Sequence, residues 1–264
     1  MTTHDTYAQG TPCWADLQTT DQDGAKAFYG ALFGWTFDDQ PMPQGPTYSM
    51  GQLDGKSVAA IAPQTQEMAA QGVPPTWNVY LAVDDVDATT ANVAGAGGMV
   101  AMEPFDVMEA GRMSFVADPA GAFVGLWQAG RHIGSELTNV PGAITWNELV
   151  TTDADKALPF YDTVLGLASE TVPFGPGISY TMFLVDGRQV GGSTAPQAEG
   201  VPNHWNVWFA TADADATAAR ATELGGAVLV GPMDMPVGRM CVIRDPQGGV
   251  INVMQPGEQG DVPA

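Results

Sequence analysis

Basic residues are scarce in this chain. Its 264 residues include nine Lys and Arg against thirty Asp and Glu, for a net charge of −21. Nucleic-acid binding depends on clustered basic side chains that neutralise phosphates, so this balance argues against a nucleic-acid partner. The same shortage disfavours anionic membrane surfaces, whereas it permits a cationic ligand. Solubility in a salt-tolerant cytoplasm is the alternative explanation of the charge.

Cysteine and long apolar runs are also lacking. The two cysteines, Cys13 and Cys241, occupy different positions in the two halves of the chain. They do not form a disulfide framework, which favours a reducing compartment. No run approaches the ~18 apolar residues of a membrane span. The first residues show no basic segment followed by an apolar one, so no signal peptide is expected. The sequence therefore predicts a cytoplasmic protein without a membrane partner.

The chain contains an internal repeat. Three segments of the first half recur in the second: Trp14–Asp21 as Trp146–Asp153, Trp77-Asn78-Val79 as Trp205-Asn206-Val207, and Gly111-Arg112-Met113 as Gly238-Arg239-Met240. A repeat this long indicates a duplicated domain rather than a solenoid unit. We place the two domains at residues 8–129 and 140–257, joined by a polar linker that contains His132.

Each half divides again into two related modules. A strand over 13–19 precedes a helix that Asp21 caps and Gly34 ends. The remaining elements of the first half follow by alternation and turn residues: strands at 35–37, 47–53, 56–62 and 77–83, a helix at 85–96, and strands near 99–102, 112–117 and 122–128. The pattern predicts an α+β fold in which tandem duplicated domains each pair two βαβββ modules in a cupped mixed sheet.

Strand alternation sorts the side chains of each sheet onto two faces. In the first strand, Leu17 belongs under the following helix, which leaves Trp14 and Asp16 on the opposite face. The same argument applies to the strand at 77–83 and to both strands of the second half. The face away from the helices is thus predicted to hold two equivalent sets: Trp14, Asp16, Asn78 and Tyr80 in a first cup, and Trp146, Glu148, Asn206 and Trp208 in a second.

Residues 13–35, with the Gly-Arg-Met segments and the Asp-Pro pairs at 118–119 and 245–246, carry a family resemblance. Together they resemble the vicinal oxygen chelate superfamily, which includes glyoxalase I, bleomycin and fosfomycin resistance proteins and extradiol dioxygenases. The match covers almost the whole chain twice and is nearest to the two-domain actinobacterial glyoxalase-like subgroup. It implies a monomer with an internal pseudo-dimer, or a weak homodimer.

The resemblance also implies a divalent metal held by His and Glu of the first and last strands. The matching positions in this chain carry other residues: Trp14, Asn78 and Gly125 in the first half, and Trp146, Asn206 and Asn252 in the second. A zinc or iron site needs three or four suitable ligands. No cofactor is therefore expected, and a divalent metal held in a new way is the alternative.

The carboxyls are the candidate catalytic groups. Asp16 and Glu148 are inward acids at equivalent positions, suited to act as a general base or to anchor a ligand. The alternative is a purely structural role, in which each carboxyl is hydrogen-bonded to a backbone N–H or paired with an Arg. Arg112 and Arg239 are interpreted as salt-bridge partners.

The candidate ligand contacts are mostly aromatic. Trp14, Tyr80, Trp146 and Trp208 could stack on a planar ligand or hold a cation, although strand aromatics often serve only the core. Tyr48 and Tyr180 occupy equivalent positions in the repeat and have the same two possible roles, ligand contact or core packing. His204, like the neighbouring Asn206, stands at the second cup. The histidine has no counterpart in the first half. Its role is either acid–base chemistry or that of an ordinary surface residue.

Three functions follow as hypotheses. The first is metal-independent binding or sequestration of a small planar or cationic organic molecule in aromatic-lined cups. The second is a lyase, isomerase or hydroxylase of the glyoxalase class that uses Asp16 or Glu148 as acid or base. The third assigns ligand binding to one half and a scaffold role to the other.

Overall fold

The computed structural model describes residues 1–42, 47–174 and 179–257. The first half contains, in order, β1 (Thr2–Thr3), β2 (Pro12–Thr19), α1 (Gln22–Phe33), β3 (Thr36–Gln40), β4 (Tyr48–Leu53), β5 (Lys56–Pro63), α2 (Gln66–Ala70), β6 (Thr76–Ala82), α3 (Val86–Val93), β7 (Met99–Val107), β8 (Gly111–Ala117) and β9 (Phe123–Ala129).

The second half repeats this order except for α2, which has no counterpart among the described residues there. It contains β10 (Leu137–Thr138), β11 (Ile144–Val150), α4 (Ala154–Leu165), β12 (Ala168–Pro173), β13 (Ser179–Val185), β14 (Arg188–Thr194), β15 (His204–Ala210), α5 (Ala214–Glu223), β16 (Ala227–Met235), β17 (Gly238–Arg244) and β18 (Val250–Pro256). Among the described residues, no helix combines the length and the apolar character that crossing a bilayer requires.

Each half forms one eight-stranded mixed sheet. The strand order is β3-β4-β5-β2-β6-β9-β8-β7 in the first sheet and β12-β13-β14-β11-β15-β18-β17-β16 in the second. Within each module one pair is parallel, β2 with β5 and β6 with β9, and the two modules meet at the antiparallel pair β2–β6. The predicted α+β fold of duplicated, paired modules is confirmed.

Helix α1 begins and ends where the sequence predicts. The side chain of Asp21 accepts a hydrogen bond from the Gly24 N–H, which satisfies a free donor of the first turn. Gly34 ends the helix in the left-handed region, at φ 77°. Asp153 and Gly166 do the same for α4, so local capping chemistry is repeated along with the fold.

Two features differ from the expectation. The sequence pattern does not predict the short helix α2, and β7 extends to Val107 rather than ending near Met102. Strand β7 lies at the sheet edge, is largely exposed and shifts register twice against β8. Edge strands with bulges lack the regular apolar alternation from which strands are predicted.

The helix-bearing faces of the two sheets meet in one shared core. Helix α1 packs against α5 and α3 against α4, each pair drawn from different halves. The Phe33 and Phe209 rings lie 5.2 Å apart between centroids across the junction, and the Trp35 indole donates to the Gly142 carbonyl at 2.7 Å. Both cysteines are buried free thiols.

Two reciprocal hydrogen bonds tie the halves together. The Tyr29 hydroxyl accepts from Trp77 Nε1 at 3.0 Å and donates to Asp245 Oδ2 of the other half at 2.9 Å. In the mirror arrangement, Tyr161 accepts from Trp205 and donates to Asp118 at 3.1 Å. The other oxygen of each aspartate accepts backbone N–H bonds of its own turn. The Asp-Pro motif therefore shapes a turn and joins the halves.

Replacing Tyr29 or Tyr161 by Phe should destabilise the protein. Each change leaves a buried indole N–H without its acceptor and a buried carboxyl without one donor, at a cost of about 1–3 kcal/mol. Urea unfolding of the two single variants measures the loss. Because the contacts are equivalent, the two losses should agree; a loss below about 0.5 kcal/mol in both would show that these bonds contribute little.

Candidate functional site

The predicted sorting of strand residues is correct in the first half. Ala15 and Leu17 lie in the shared core with the helices. Trp14 lies on the opposite face in a separate cluster with Tyr80 and Trp127. We call this face the first cup and its equivalent in the second sheet the second cup.

A buried carboxyl forms the centre of the first cup. The Asp16 side chain accepts from Asn78 Nδ2 at 2.8 Å through one oxygen, and from the hydroxyls of Tyr80 at 2.8 Å and Tyr48 at 3.0 Å through the other. The Trp14 indole in turn donates to the Tyr48 hydroxyl at 2.9 Å. The four residues predicted for this cup therefore belong to one hydrogen-bond network, which Tyr48 joins.

Burial dominates the electrostatics of the first cup. It raises the pKa of Asp16 above the ordinary value of 3.8. The hydrogen bonds from Asn78, Tyr80 and Tyr48 lower that pKa, but by less than burial raises it. Burial, reinforced by the nearby Asp16 charge, also raises the pKa of both tyrosines well above 10. The phenols therefore remain donors while the carboxyl is poised to take up a proton.

His132 covers the first cup, although the sequence places it in the linker. Its ring lies edge-on to Trp14 at 4.4 Å and to Trp127 at 5.6 Å between centroids, and its carbonyl accepts from Trp127 Nε1 at 2.9 Å. Burial lowers the pKa of His132 to about 4, against a smaller opposing effect of Glu136. The linker has no periodicity and no counterpart in the repeat, so no sequence pattern identifies this contact.

The second cup has the same plan with a different centre. Glu148 is 7% exposed and pairs in register with Asn206, as Asp16 does with Asn78. Burial raises its pKa, and the polar groups of Tyr180, Asn206 and Trp208 lower that pKa less. Among the described residues, however, no donor meets the Glu148 carboxyl with hydrogen-bond geometry. The Trp146 indole donates to Tyr180 at 2.8 Å, as Trp14 does to Tyr48.

His204 stands at the rim of the second cup. Its Nδ1 lies 2.7 Å from the Pro202 carbonyl and its Nε2 lies 2.9 Å from Asn206 Oδ1. A neutral imidazole carries one N–H and cannot donate to both oxygens. A doubly protonated ring donates to both oxygens, and the Asn206 amide nitrogen is then the end that faces Glu148 and lowers its pKa. His204, Asn206 and Glu148 thus form a line from the rim to the buried carboxyl.

Arg112 and Arg239 do not enter the cups. Arg112 pairs with Asp87 at 2.7 Å and Asp106 at 2.9 Å, and Arg239 repeats this with Asp215 and Asp234. All four aspartates are largely exposed at their side chains. The interpretation of both arginines as salt-bridge partners is confirmed.

The residues at the expected metal position do not fit a metal held by His and Glu. A Cβ added at Gly125 would lie 2.2 Å from Tyr80 Cδ1, so the tyrosine ring fills the space that a longer side chain there would need. In the second cup Asn252 matches Gly125, and the Tyr180 ring lies instead against Gly192 of β14, where an added Cβ would be 2.3 Å from its hydroxyl oxygen. Within residues 1–42, 47–174 and 179–257, no three His, Cys, Asp or Glu side chains converge as metal ligands.

A protein-family model matches both halves. It describes the glyoxalase/bleomycin resistance protein/dioxygenase superfamily and matches residues 12–126 and 143–253.

Curated relatives match the chain along its whole length. "Putative glyoxylase CFP32" of Mycobacterium tuberculosis is 52% identical over 255 residues, which cover 96% of this chain and 97% of the relative. "Anthracycline biosynthesis protein DnrV" of Streptomyces peucetius is 40% identical over 260 residues and 94% of each chain.

Solved structures share the fold at low identity. The Mn(II)-bound glyoxalase from Novosphingobium aromaticivorans superposes with a TM-score of 0.66 at 18% identity, covering 97% of this chain and 85% of that one. The 2,2',3-trihydroxybiphenyl 1,2-dioxygenase from Sphingomonas wittichii gives 0.64 at 15%, covering 95% and 91%. Both are enzymes of the kind that the sequence resembles.

The raised carboxyl pKa values predict a pH effect on stability. A group whose pKa is higher in the folded state binds its proton more tightly there, so its stabilising effect is complete below the unfolded pKa and lost as pH rises through the folded pKa. For Asp16 and Glu148 the loss begins above the ordinary values of 3.8 and 4.5. Each unit of elevation corresponds to about 1.4 kcal/mol.

Urea unfolding of the wild type and of the Asp16→Asn/Glu148→Gln variant between pH 4 and 8 measures this effect. The stability of the wild type relative to the variant should fall as pH rises. Asp39→Asn is the control, because the hydrogen bond from Lys26 lowers the pKa of Asp39 below 3.8, so the stability difference between the wild type and this variant should stay nearly constant across this pH range. A wild-type advantage that stays constant or grows with pH would contradict the assignment.

Proposed function

The chain belongs to the glyoxalase/bleomycin resistance protein/dioxygenase superfamily, and from this premise we propose that it binds a small organic molecule, planar or cationic, in its aromatic-lined cups. The buried carboxyl of the cup, rather than a metal held by His and Glu, is the polar anchor. Binding of this kind needs an apolar concave wall with a few placed polar groups.

One observation carries the proposal: the same carboxyl-centred arrangement is built twice. In each cup an acid on the first strand stands beside a tyrosine, an asparagine and an indole. A carboxyl kept away from solvent is costly unless neighbours stabilise it, so its retention in both halves favours a role in recognition. The raised pKa of Asp16 and Glu148 suits a proton donated to an acceptor of the ligand, and a bound cation would restore the carboxylate form.

The surface charge and the relatives support an organic ligand. At a net charge of −21 the protein repels anions and concentrates cations at low salt. The related proteins named for anthracycline biosynthesis and as a glyoxylase have names that fit small organic molecules.

An enzyme of the lyase, isomerase or hydroxylase class is the second candidate. His204 favours it, because a histidine at the rim of a cup can exchange a proton with a substrate, beside Asn206 and across the strand pair from the buried Glu148. Asp16 is the corresponding acid or base of the first cup. Catalysis would use these groups alone or with a divalent metal held in another way.

Calorimetric titration with proflavine, a planar aromatic cation, tests the binding proposal. The protein is first dialysed against a chelator and titrated at 0.15 M and 0.5 M salt, because salt at about these strengths screens exposed charges far more than buried ones. We expect binding that persists at the higher salt and weakens about tenfold in Asp16→Asn/Glu148→Gln, the effect of losing one charge-assisted hydrogen bond. Asp39→Asn, which changes an exposed acid, should bind as the wild type does.

Binding that disappears at 0.5 M salt, or that requires a restored divalent metal, would contradict the proposal. The enzyme candidate has its own assay, turnover of the hemithioacetal formed from methylglyoxal and a thiol. Turnover that Asp16→Asn or Glu148→Gln abolishes would replace simple binding by catalysis.

A further inference from the structure

The linker between the halves is docked on the first half at both of its ends. Upstream, the Gly130 N–H donates to the Ala110 carbonyl at 2.9 Å. Downstream, the Ser135 N–H donates to the Cys13 carbonyl at 2.8 Å. Between these two anchors, a short loop at residues 131–133 carries His132 over the first cup. We call this loop the lid.

The downstream anchor is clamped from two sides. The Tyr7 hydroxyl donates to the Ser135 carbonyl at 2.6 Å, and β1 pairs with β10 just beyond the linker. The Glu136 N–H donates to the Ser57 carbonyl, and the Glu136 carboxylate accepts from the Ser57 N–H, both at 2.8 Å. The lid meets this clamp at Gly134, whose φ of 109° is a conformation that glycine adopts most readily. The lid can therefore move while the chain beyond it stays in place.

Few polar contacts hold the lid itself. The N–H groups of Arg131 and His132 donate to the carbonyls of Glu109 and Ala110, each at 3.0 Å, and the His132 carbonyl accepts from Trp127 Nε1 at 2.9 Å. The ion pair of Arg131 with Glu109 is largely exposed, and such pairs add little stability. Water can replace each of these partners when the lid moves away, so opening leaves none of these groups unpaired.

The His132 ring opposes closure when it carries a charge. It lies edge-on to Trp14 and Trp127, and its buried Nε2 has no hydrogen-bond partner in the described part of the chain. A protonated imidazole donates through both nitrogens, so a charged ring under the closed lid would hold an unpaired N–H against two indoles. Burial accordingly lowers the pKa of His132 from 6.5 to about 4.

Acid therefore favours the open lid. A histidine whose pKa is lowered in the closed form binds its proton more tightly in the open form, so the closed form loses stability as pH falls below 6.5. With a pKa of 6.5 when open and about 4 when closed, His132 alone should raise the ratio of open to closed lid about thirtyfold between pH 7.5 and pH 5.

Three carboxyls near His132 act on the same equilibrium. Glu136 of the linker raises the pKa of His132, but by less than burial lowers it. Glu109 of the turn between β7 and β8 is paired with Arg131. Asp16 shares the cup face of β2 with Trp14, and because its pKa is raised, its protonation in acid favours the closed form and opposes His132.

The other groups that face His132 do not titrate in this range. Burial raises the pKa of the Tyr48, Tyr80 and Tyr7 hydroxyls and of the Cys13 thiol, so all four stay neutral. Strand β9, which bears Trp127, has no charged residue. His132 is thus the group near the lid whose protonation in mild acid drives opening.

We propose that residues 131–133 form an acid-sensitive lid, which covers the first cup at neutral pH and opens when His132 is protonated. Opening uncovers Trp14 and Trp127 and admits solvent or a ligand to the hydrogen-bond network of Asp16. For this purpose, control of entry to the first cup, the inference rests on the proposed function. The movement itself can be measured without a ligand.

Hydrogen exchange followed by NMR tests the movement. Each observed exchange rate is divided by the intrinsic rate of an unprotected amide at the same pH, which gives the open fraction at that N–H. From pH 7.5 to pH 5, the open fraction at Arg131 and His132 should rise by up to about thirtyfold, less the opposing effect of Asp16. The open fraction at Ser135, beyond Gly134, should stay constant. No rise at Arg131 and His132 would overturn the proposal.

Two matched variants assign the rise to one histidine. His132→Phe keeps an aromatic ring between the indoles but cannot be protonated, so the rise at Arg131 should disappear. His204→Phe makes the same change in the other half and should leave the rise at Arg131 as in the wild type. Seven dispersed indole signals in each variant show that it is folded. A rise that persists in His132→Phe would overturn the role of His132.

Calorimetric titration with proflavine at the same two pH values separates this inference from the proposed function. Opening in acid without proflavine binding at either pH would support the lid and contradict the proposed function. Proflavine binding without opening in acid would overturn the lid and leave the proposed function standing.

Discussion

The packing of the two sheets against each other determines where every other feature of the molecule lies. One face of each sheet and the helices that cover it are committed to a common core, which leaves the opposite faces as cups. The exchanged bonds of Tyr29 with Asp245 and Tyr161 with Asp118 fix this arrangement with buried polar contacts. Such contacts tolerate little displacement, since each partner would otherwise be unsatisfied. The halves therefore behave as one packed unit with two outward sites.

Duplication within one chain allowed the two cups to diverge while the frame stayed the same. The shared core constrains the residues that face the helices, and the pairs Leu17 and Leu149, Tyr29 and Tyr161, and Trp77 and Trp205 are identical in the two halves. The cup residues are free of that constraint, so Asp16 and Glu148 differ in length and Tyr80 and Trp208 differ in ring. A cup can thus lose or retain its internal hydrogen bonds without a change of fold.

Local periodicity is sufficient to predict the strands, the capped helices and the cup faces, because alternation in a strand depends only on neighbouring residues. Alternation alone places Trp14, Asp16, Asn78 and Tyr80 on one face, and the hydrogen bonds at Asp16 join them. It cannot reveal that His132 folds back on Trp14, since the linker has no period. The link between Tyr29 and Asp245 is equally hidden, because the partners are distant in the chain and the Asp-Pro motif by itself indicates only a turn.

In the proposed binding mode, the buried carboxyls of Asp16 and Glu148 take the role that the family resemblance assigns to a metal ion. In relatives of this superfamily the resemblance implies a cation at the cup, and a cation would hold nearby carboxyls ionised. Here hydroxyl, amide and indole groups surround the acid instead. These neutral donors offset only part of the burial cost, so the pKa of Asp16 and Glu148 rises. Under the proposed function, the centre of the cup offers a proton or a hydrogen bond where a metal would offer positive charge, which favours acceptor-bearing or cationic molecules over anionic ones.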